Sequence, residues 1–458
     1  MNSSMSTTSI LSLLPFVPTQ EQAKALTLLQ GFIDPSSKEQ CFVLRGSAGT
    51  GKTSLMEALT VFLRQSNRAF ELAAPTGKAA KILGQKTHWE AHTLHSLLFK
   101  IKEVKDKEGK VLYLQCLNKT DYSEIPTVYI VDEASMVSTR PQKDGQFHSD
   151  ESLLQTLVDF VKKGHPGNKL LLVGDHYQLP PVNEDFSAAL CALTMQQDYN
   201  MKTMSFQMTE VKRQGQDSYI LRAATVLRQA MEQGKTQQEY IYRPCDTCDY
   251  TLKYYKQLFQ QEGADKVIYI AWKNKTVFLL NQALRKQIFG PAVDLLMPGD
   301  QVMVQKTIFR NGANVPSGEI GRVVKVHARS DERIAGVHFA DVTLAFNNSK
   351  GEEFHLTKKV NMSTLLSENG QLPYQQERAV YAERIKVNET LQKSNDKEDD
   401  EYLSAMQLRY AYAITCHKAQ GSEWKHVFLY PEGPYDDTRL RWIYTAITRA
   451  SEHLYSFR

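Results

Sequence analysis

The stretch Gly46-Ser47-Ala48-Gly49-Thr50-Gly51-Lys52-Thr53-Ser54 has the spacing Gly-x-x-x-x-Gly-Lys-Thr, which suits the grip of a nucleoside triphosphate. Glycines let successive backbone N–H groups turn toward phosphate oxygens, and a helix starting near Lys52 adds its positive N-terminal end. Lys52 would then reach the β- and γ-phosphates, and the Thr53 hydroxyl would hold Mg²⁺. Two carboxylates, Asp132 and Glu133, complete that chemistry: Asp132 for the metal and Glu133 to polarise the attacking water. Gln178 carries an amide able to bond both a γ-phosphate oxygen and a water, and so can report whether the γ-phosphate is present.

The flanking segments have the character needed to position these groups. Apolar "CFVL" before the glycines reads as a buried strand, and "SLMEALTVFL" after them has helical spacing. "TVYIVDEAS" (127 to 135) reads as a β-branched strand delivering Asp132 and Glu133 at its C-terminal edge. "KLLLVGDHYQLPPV" (169 to 182) reads as a second buried strand, ending in Gly174-Asp175 with Gln178 just before two prolines. A strand running into a Pro-stiffened loop would be the bland reading, but it leaves Gln178 unexplained.

The whole chain sets the limits. Its 458 residues exceed one hydrophobic core and point to about two to four domains. With 42% hydrophobic and 23% charged residues the composition is that of a globular protein, excluding a fibre or a disordered chain. A net charge of +4 permits a nucleic-acid partner but does not argue for one, so any basic surface must be local. Six scattered cysteines do not make a secreted disulfide framework, and Cys245-x-x-Cys248 lacks a second pair to complete four zinc ligands. No apolar run spans a bilayer, and "ILSLLPFV" lacks preceding basic residues and is broken by Pro15, so a cytoplasmic protein with no membrane partner is expected. "NKTD" (118 to 121) and "DKEG" (106 to 109) mimic guanine-reading motifs, but "DKEG" follows no apolar strand and the interval cannot hold a strand and helix.

Further blocks extend the pattern: "TQEQ" (19 to 22), "AAPTGKAAKIL" (73 to 83), "HTLHSLL" (92 to 98), "MTEVKRQ" (208 to 214), "AWKNKTVFLLNQALR" (271 to 285), "AITCHKAQGSEW" (413 to 424) and "YTAITRA" (444 to 450). In this order, and across nearly the whole chain, they resemble the motif set of superfamily 1 helicases, most closely the RecD/Dda type, with an AAA-type P-loop half and a UvrD-like C-terminal half. The resemblance implies an α/β fold of two RecA-like parallel-sheet domains, with ATP and Mg²⁺ between them and single-stranded DNA across both. It implies that Gln22 recognises adenine, that Arg213 and Arg449 reach the γ-phosphate as arginine fingers, and that Gln420, Gly421 and Glu423 line the same cleft. It further implies strand contacts by Pro75, Thr76, Thr93, His95, Ser96, Asn274, Thr415, His417 and Lys418. Small hydroxyls and backbone amides suit phosphates, and a motor needs that indifference to sequence. Outside these motifs, an arginine would read as surface charge and a histidine as structural.

Two accessory pieces are expected. Residues 99 to 117 read as two strands joined by a turn at Glu108-Gly109; in the resembling helicases such a hairpin is a pin that splits duplex, with Phe99 or Tyr113 as an aromatic platform, while a plain surface hairpin fits as well. Residues 321 to 405 hold "GRVVKVHA", "HFADVTLAF" and "EEFHLTKKV", strands without helices that indicate a small, SH3-like β-barrel inserted in the second half. The charged run "KSNDKEDDE" that follows reads as a solvated, mobile loop. Ser317 in "SGEIG" stands where the resembling family usually has asparagine. The expected domains are 1A (1–98 and 118–185), 1B (99–117), 2A (186–320 and 406–458) and 2B (321–405).

The reading is an ATP-driven DNA helicase moving 5′ to 3′ on single-stranded DNA and acting at single-strand/duplex junctions. It is expected to be a monomer, with a single-strand-binding or replication/repair protein as a further partner. The alternatives are an ATPase clamp on single strands that separates no base pairs, and a P-loop small-molecule kinase indifferent to oligonucleotide.

Overall fold

Cys41, Phe42, Val43 and Leu44 are completely buried in the computed structural model of the chain, as a central parallel strand flanked on both faces requires. The structure describes residues 9–105, 111–119, 125–141, 147–211, 219–237, 243–245, 247–291, 294–308, 315–327, 332–348, 351–436 and 438–457. The chain divides into one compact unit of residues 1–102 and 115–221 and a second of residues 103–114 and 222–458.

The first unit is built on a six-stranded sheet in the order β3 (Ala91–Thr93), β2 (Ala69–Ala74), β6 (Thr127–Val131), β8 (Lys169–Gly174), β1 (Cys41–Gly46) and β9 (Thr203–Met208). All neighbours are parallel, with β1 in register with β8 from Cys41 opposite Leu170 to Arg45 opposite Gly174. Helices cover the sheet for reasons visible in their residues. In Leu153–Lys163 the buried Leu154, Leu157, Val158 and Val161 recur at i, i+3, i+4 and i+7, and Ser152 caps the first turn by accepting from the Gln155 N–H. The 1A/2A boundary expected at residue 185 falls inside this unit, because β9 pairs with β1 along all six of its residues. A small sheet of β4 (Phe99–Lys105), β5 (Val111–Asn118) and β7 (Phe147–His148) provides the expected hairpin strands, whose turn at Glu108-Gly109 lies outside the described residues.

The second unit has its own parallel sheet, ordered β10 (Arg243–Cys245), β20 (Ala450–Phe457), β19 (Trp424–Leu429), β11 (Val267–Ala271) and β18 (Ala413–Thr415). Five further strands close into a barrel: β12 (Gln301–Val304), β13 (Ile320–Val326), β15 (Val337–Asn347), β16 (Glu353–Asn361) and β17 (Met406–Tyr410), with β14 (Glu332–Ile334) extending from β15. Pairing of β13 with both β12 and β15 closes the ring, which removes the exposed edge an open sheet would present. The barrel therefore takes in two strands, β12 and β17, beyond the 321–405 expected for it.

The run "KSNDKEDDE" departs from its reading as a mobile loop. Its first two residues end the helix Glu389–Ser394, Lys397–Asp399 form a turn, and Asp400 is 1% exposed. Asp400 accepts from Arg384 Nε and Asn388 Nδ2, each at 2.9 Å, while Lys359 of β16, also buried, faces Glu332, Asp341 and Glu401 at 3.3–3.8 Å. Asp400 leaves water for these partners, while Lys393, Glu398 and Glu401 stay exposed. Among the described residues no helix is long and apolar enough to cross a membrane, and no cluster of His, Cys, Asp and Glu side chains is placed to hold a metal.

Candidate active site and strand-binding residues

The glycine-rich loop leaves β1 and feeds the helix Lys52–Gln65, whose capping residue Gly51 sits at φ +88° and Gly49 at φ +82°. A Cβ at Gly46 would lie 2.6 Å from Thr50 Oγ1, and one at Gly51 2.5 Å from Gln22 Nε2, so the loop can be this tight only with glycine at both positions. Thr50 Oγ1 donates to the Ser47 carbonyl at 2.9 Å, locking the turn from inside, while Ala48, Gly49 and Gly51 to Ser54 remain partly open. Lys52 Nζ donates to the carbonyls of Gly46 (2.6 Å) and Ser47 (3.2 Å), folding its ammonium over the loop where phosphate oxygens would replace those carbonyls.

Gln22 lies against this loop. Thr19 and Gln22 form a reciprocal cap at the start of the helix Gln20–Ile33: Thr19 Oγ1 accepts from the Gln22 N–H at 3.1 Å and Gln22 Oε1 accepts from the Thr19 N–H at 3.0 Å. Gln22 Nε2 then donates to the Thr50 carbonyl at 3.0 Å, leaving a second amide hydrogen.

Asp132 and Glu133 follow β6 on the same sheet edge. Asp132 Oδ1 accepts from the Glu133 N–H at 2.9 Å, and Glu133 has φ +51°, a strained turn for a non-glycine residue. Burial and the Glu133 charge push the Asp132 carboxyl up to about 6, partly offset by Lys52 and Lys86. A cation held by Thr53 and Asp132 would relieve that penalty, so the residues present fit Mg²⁺. Gln178 follows β8, is 4% exposed, and its Oε1 has no hydrogen-bond partner among the described residues.

In the second unit Arg449 is 6% exposed and fully engaged: Nε donates to the Thr445 carbonyl (3.1 Å), Nη1 to the Ser422 carbonyl (3.2 Å) and Nη2 to Thr448 Oγ1 (3.1 Å). Gln420 is buried, Gly421 has φ +71°, and Glu423 is exposed, so these three occupy one turn that the Arg449 guanidinium ties to the helix Arg439–Ile447. Arg213 lies outside the described residues.

The expected strand contacts fall into two groups. Thr76 and Thr93 spend their hydroxyls on helix caps, accepting from Ala79 N–H (3.2 Å) and Ser96 N–H (3.1 Å); Pro75 and His95 are half-buried beside them and Ser96 is exposed. In the second unit Asn274 opens the helix Asn274–Phe289, and Thr415 ends β18, the strand paired with β11 just before that helix, with His417 and Lys418 in the short helix that follows. Burial lowers the His417 pKa, and burial with the Arg409 charge lowers that of Lys418. Phe99 is 4% exposed within the first unit's core and cannot serve as an open platform; its ring lies 5.6 Å from that of His95. The Tyr113 side chain lies outside the described residues. Ser317 closes its own turn, donating from Oγ to the Gln305 carbonyl at 2.9 Å.

Three residues escape a sequence reading. Arg409 of β17 donates from Nη1 to Asn274 Oδ1 at 3.0 Å, linking two of these segments across 135 residues. Glu432 accepts from the Trp272 and Lys273 N–H groups and Thr276 Oγ1 (2.7–2.9 Å), capping the helix that Asn274 opens. Glu184 accepts from Ser138 and Thr139 behind the acidic pair. None sits in a recognisable motif; a lone charge carries no local signal of a distant partner.

Known proteins match in the same places. The AAA domain family matches residues 19–242, and the UvrD-like helicase C-terminal domain family matches residues 410–455. The ATP-dependent DNA helicase dda of Enterobacteria phage T4 is 27% identical over 308 residues, covering 64% of this chain and 62% of the phage protein. The ATP-dependent RecD2 DNA helicase of Deinococcus radiodurans is 31% identical over 206 residues, covering 45% of this chain and 23% of its own length. The chain thus spans less than two thirds of either relative. Among solved structures, Pif1 helicase from Candida albicans superimposes with a TM-score of 0.51 at 17% identity, covering 97% of this chain and 94% of that one, a likeness of fold. The resemblance to superfamily 1 helicases of the RecD and Dda kind therefore holds in sequence, and the fold is like that of the Pif1 structure.

Proposed function

We propose that this chain is an ATP-dependent DNA helicase that translocates 5′ to 3′ on single-stranded DNA and unwinds the duplex ahead of it. One observation carries the reading: the chain holds two parallel α/β sheets, and while the first bears a complete phosphate-binding loop with its acidic pair, the second bears a buried arginine turn and, at the end of β18, the polar residues Thr415, His417 and Lys418. A small-molecule kinase has no use for that second half.

In the proposed site the loop N–H groups and Lys52 hold the triphosphate. Gln22 offers its remaining amide hydrogen to adenine, Glu133 takes the proton of the attacking water, and Gln178 senses the γ-phosphate. Thr53 and Asp132 would hold Mg²⁺, which when bound would supply neutralising charge at the phosphate oxygens. Arg449, with Arg213, supplies positive charge to the transferring group once its present carbonyl partners are exchanged. Phosphates of the strand would pair with Lys418, whose pKa burial and the Arg409 charge lower, and with the small hydroxyls around Thr93 and Thr415. Single strands and single-strand/duplex junctions are the partners, met by a monomer, with a single-strand-binding or replication/repair protein as a further one. The hairpin of residues 99–117 would serve as domain 1B and the barrel as 2B.

Burial of Phe99 favours a second reading, a clamp that hydrolyses ATP on single strands without separating them. Strand displacement on 5′-tailed and 3′-tailed duplexes decides between them. Displacement of the 5′-tailed substrate alone, with ATP turnover raised by single-stranded DNA and abolished by Lys52→Ala, is expected; turnover without displacement selects the clamp. Turnover indifferent to DNA removes both.

A further inference from the structure

The two catalytic loops of the first unit leave neighbouring parallel strands: Glu133 follows β6 and Gln178 follows β8. They are also packed against each other. A Cβ at Gly174 would stand 3.2 Å from the Ser135 nitrogen and 3.3 Å from that of Ala134, so the start of one loop is pressed against the backbone of the other. At their far ends a single carboxylate joins them. Glu184 Oε1 accepts from Ser138 Oγ and from the Thr139 N–H (2.9 Å), and Glu184 Oε2 accepts from Thr139 Oγ1 at 2.8 Å. The joined loops present two buried polar atoms without a hydrogen-bond partner among the described residues, Ser135 Oγ and Gln178 Oε1. Unsatisfied polar atoms are costly, and a pair on adjoining loops marks a place held ready for a ligand.

We infer that Glu184 is a positioning residue: it clasps the segment after Glu133 to the segment after Gln178, so that the group activating water and the group sensing the γ-phosphate keep one fixed separation. This rests on the reading of the site given above and adds the element that aligns it. Three bonds from two consecutive residues to one carboxylate fix both the distance and the orientation of the 134–139 turn. The remaining contacts support the frame: Thr139's neighbour Ser138 accepts from the Leu154 N–H at 3.1 Å, and the Glu184 N–H donates to the Pro181 carbonyl at 3.0 Å. Loss of the clasp would let the two loops move apart by fractions of an ångström without altering the phosphate-binding loop, and misplacement on that scale costs rate rather than affinity.

The test is steady-state ATP turnover by the full chain at saturating single-stranded DNA. Glu184→Ala is expected to lower kcat by roughly 10- to 100-fold with KM for ATP within about 2-fold of wild type. Glu184→Gln, which keeps one carbonyl acceptor, should recover part of that loss, and Thr139→Val should lower kcat by about 5-fold, the worth of one hydrogen bond. Combined with Gln178→Ala, Glu184→Ala should add less than about 2-fold further loss, because both act through the same sensor. Wild-type kcat in Glu184→Ala, or fully additive losses with Gln178→Ala, would overturn the inference while leaving the site reading intact. If Glu184→Ala melts early, the Thr139→Val and Glu184→Gln rates decide by the same criteria. A wild-type chain that turns over no ATP would sink the site reading itself, and the clasp with it.

Discussion

The Gln22 side chain donates to the Thr50 carbonyl at 3.0 Å across 28 residues, so the helix that begins the first unit is fastened to the phosphate-binding loop. One amide closes the Thr19 cap and braces the loop at once. Gln22→Ala should lower stability by about 1 kcal/mol through the lost cap and also weaken ATP binding. Gln22→Glu keeps the cap acceptor but sets a carboxylate against the Thr50 carbonyl, so it should lose affinity with little loss of cap. Thermal melting and nucleotide titration separate the two effects; an Ala variant matching wild type in both would refute the brace.

Arg449 has three hydrogen bonds inside its own unit, which gives it a structural duty besides the proposed catalytic one. Arg449→Ala is expected to slow ATP hydrolysis by roughly 10³-fold, as loss of an arginine finger does, while nucleotide affinity stays close to wild type. Stability should fall by about 1–2 kcal/mol from the carbonyls it abandons. Equal losses of binding and turnover would assign it to structure alone.

Asp300 and Arg285 form the buried anchor of the second unit. Asp300 accepts from Arg285 Nε (2.8 Å) and Nη2 (2.9 Å), Tyr412 Oη (2.6 Å) and the Met297 N–H (2.6 Å), joining the barrel strand β12 to the helix Asn274–Phe289. Asp300→Ala would strand the guanidinium and cost about 3–5 kcal/mol. Replacing both partners, Arg285→Met with Asp300→Leu, should recover much of that loss. Urea denaturation of the full chain reads both; a small loss in the single variant would show that the pair is not the anchor.

Acid should loosen the segment that packs on the barrel. The Asp400 carboxyl is held below its ordinary value of 3.8 by hydrogen bonds from Asn388 and Arg384 that outweigh its burial. A depressed carboxylate contributes stability that is fully present above its unfolded pKa and is lost as pH falls through the folded one. Hydrogen exchange in residues 384–405 should therefore rise selectively below pH 3.8, and Asp400→Asn should show the faster exchange already at neutral pH. Exchange in Asp400→Asn equal to wild type at neutral pH would place the stabilisation elsewhere.

Local chemistry was legible in the order of residues. Gly-x-x-x-x-Gly-Lys-Thr between an apolar strand and a helix needs nothing beyond its neighbours in sequence, and "TVYIVDEAS" announces its own strand and edge, so the phosphate-binding loop, the acidic pair and the β-barrel strands could be read directly. The division of the chain could not be read, because β9 joins β1 from 160 residues away and no local pattern states which sheet a short strand will enter. The same holds for charges. "KSNDKEDDE" looked like solvent-facing chain until Arg384 and Lys359 stood opposite it, and Phe99 looked available until the first unit's core closed around it. Sequence alone determined which groups can do chemistry, since that depends on covalent identity and short spacing. Tertiary structure alone decided which of them are committed elsewhere, as Arg449 and Thr93 are, and which distant carboxylate holds them in line, since those depend on contacts that only packing creates.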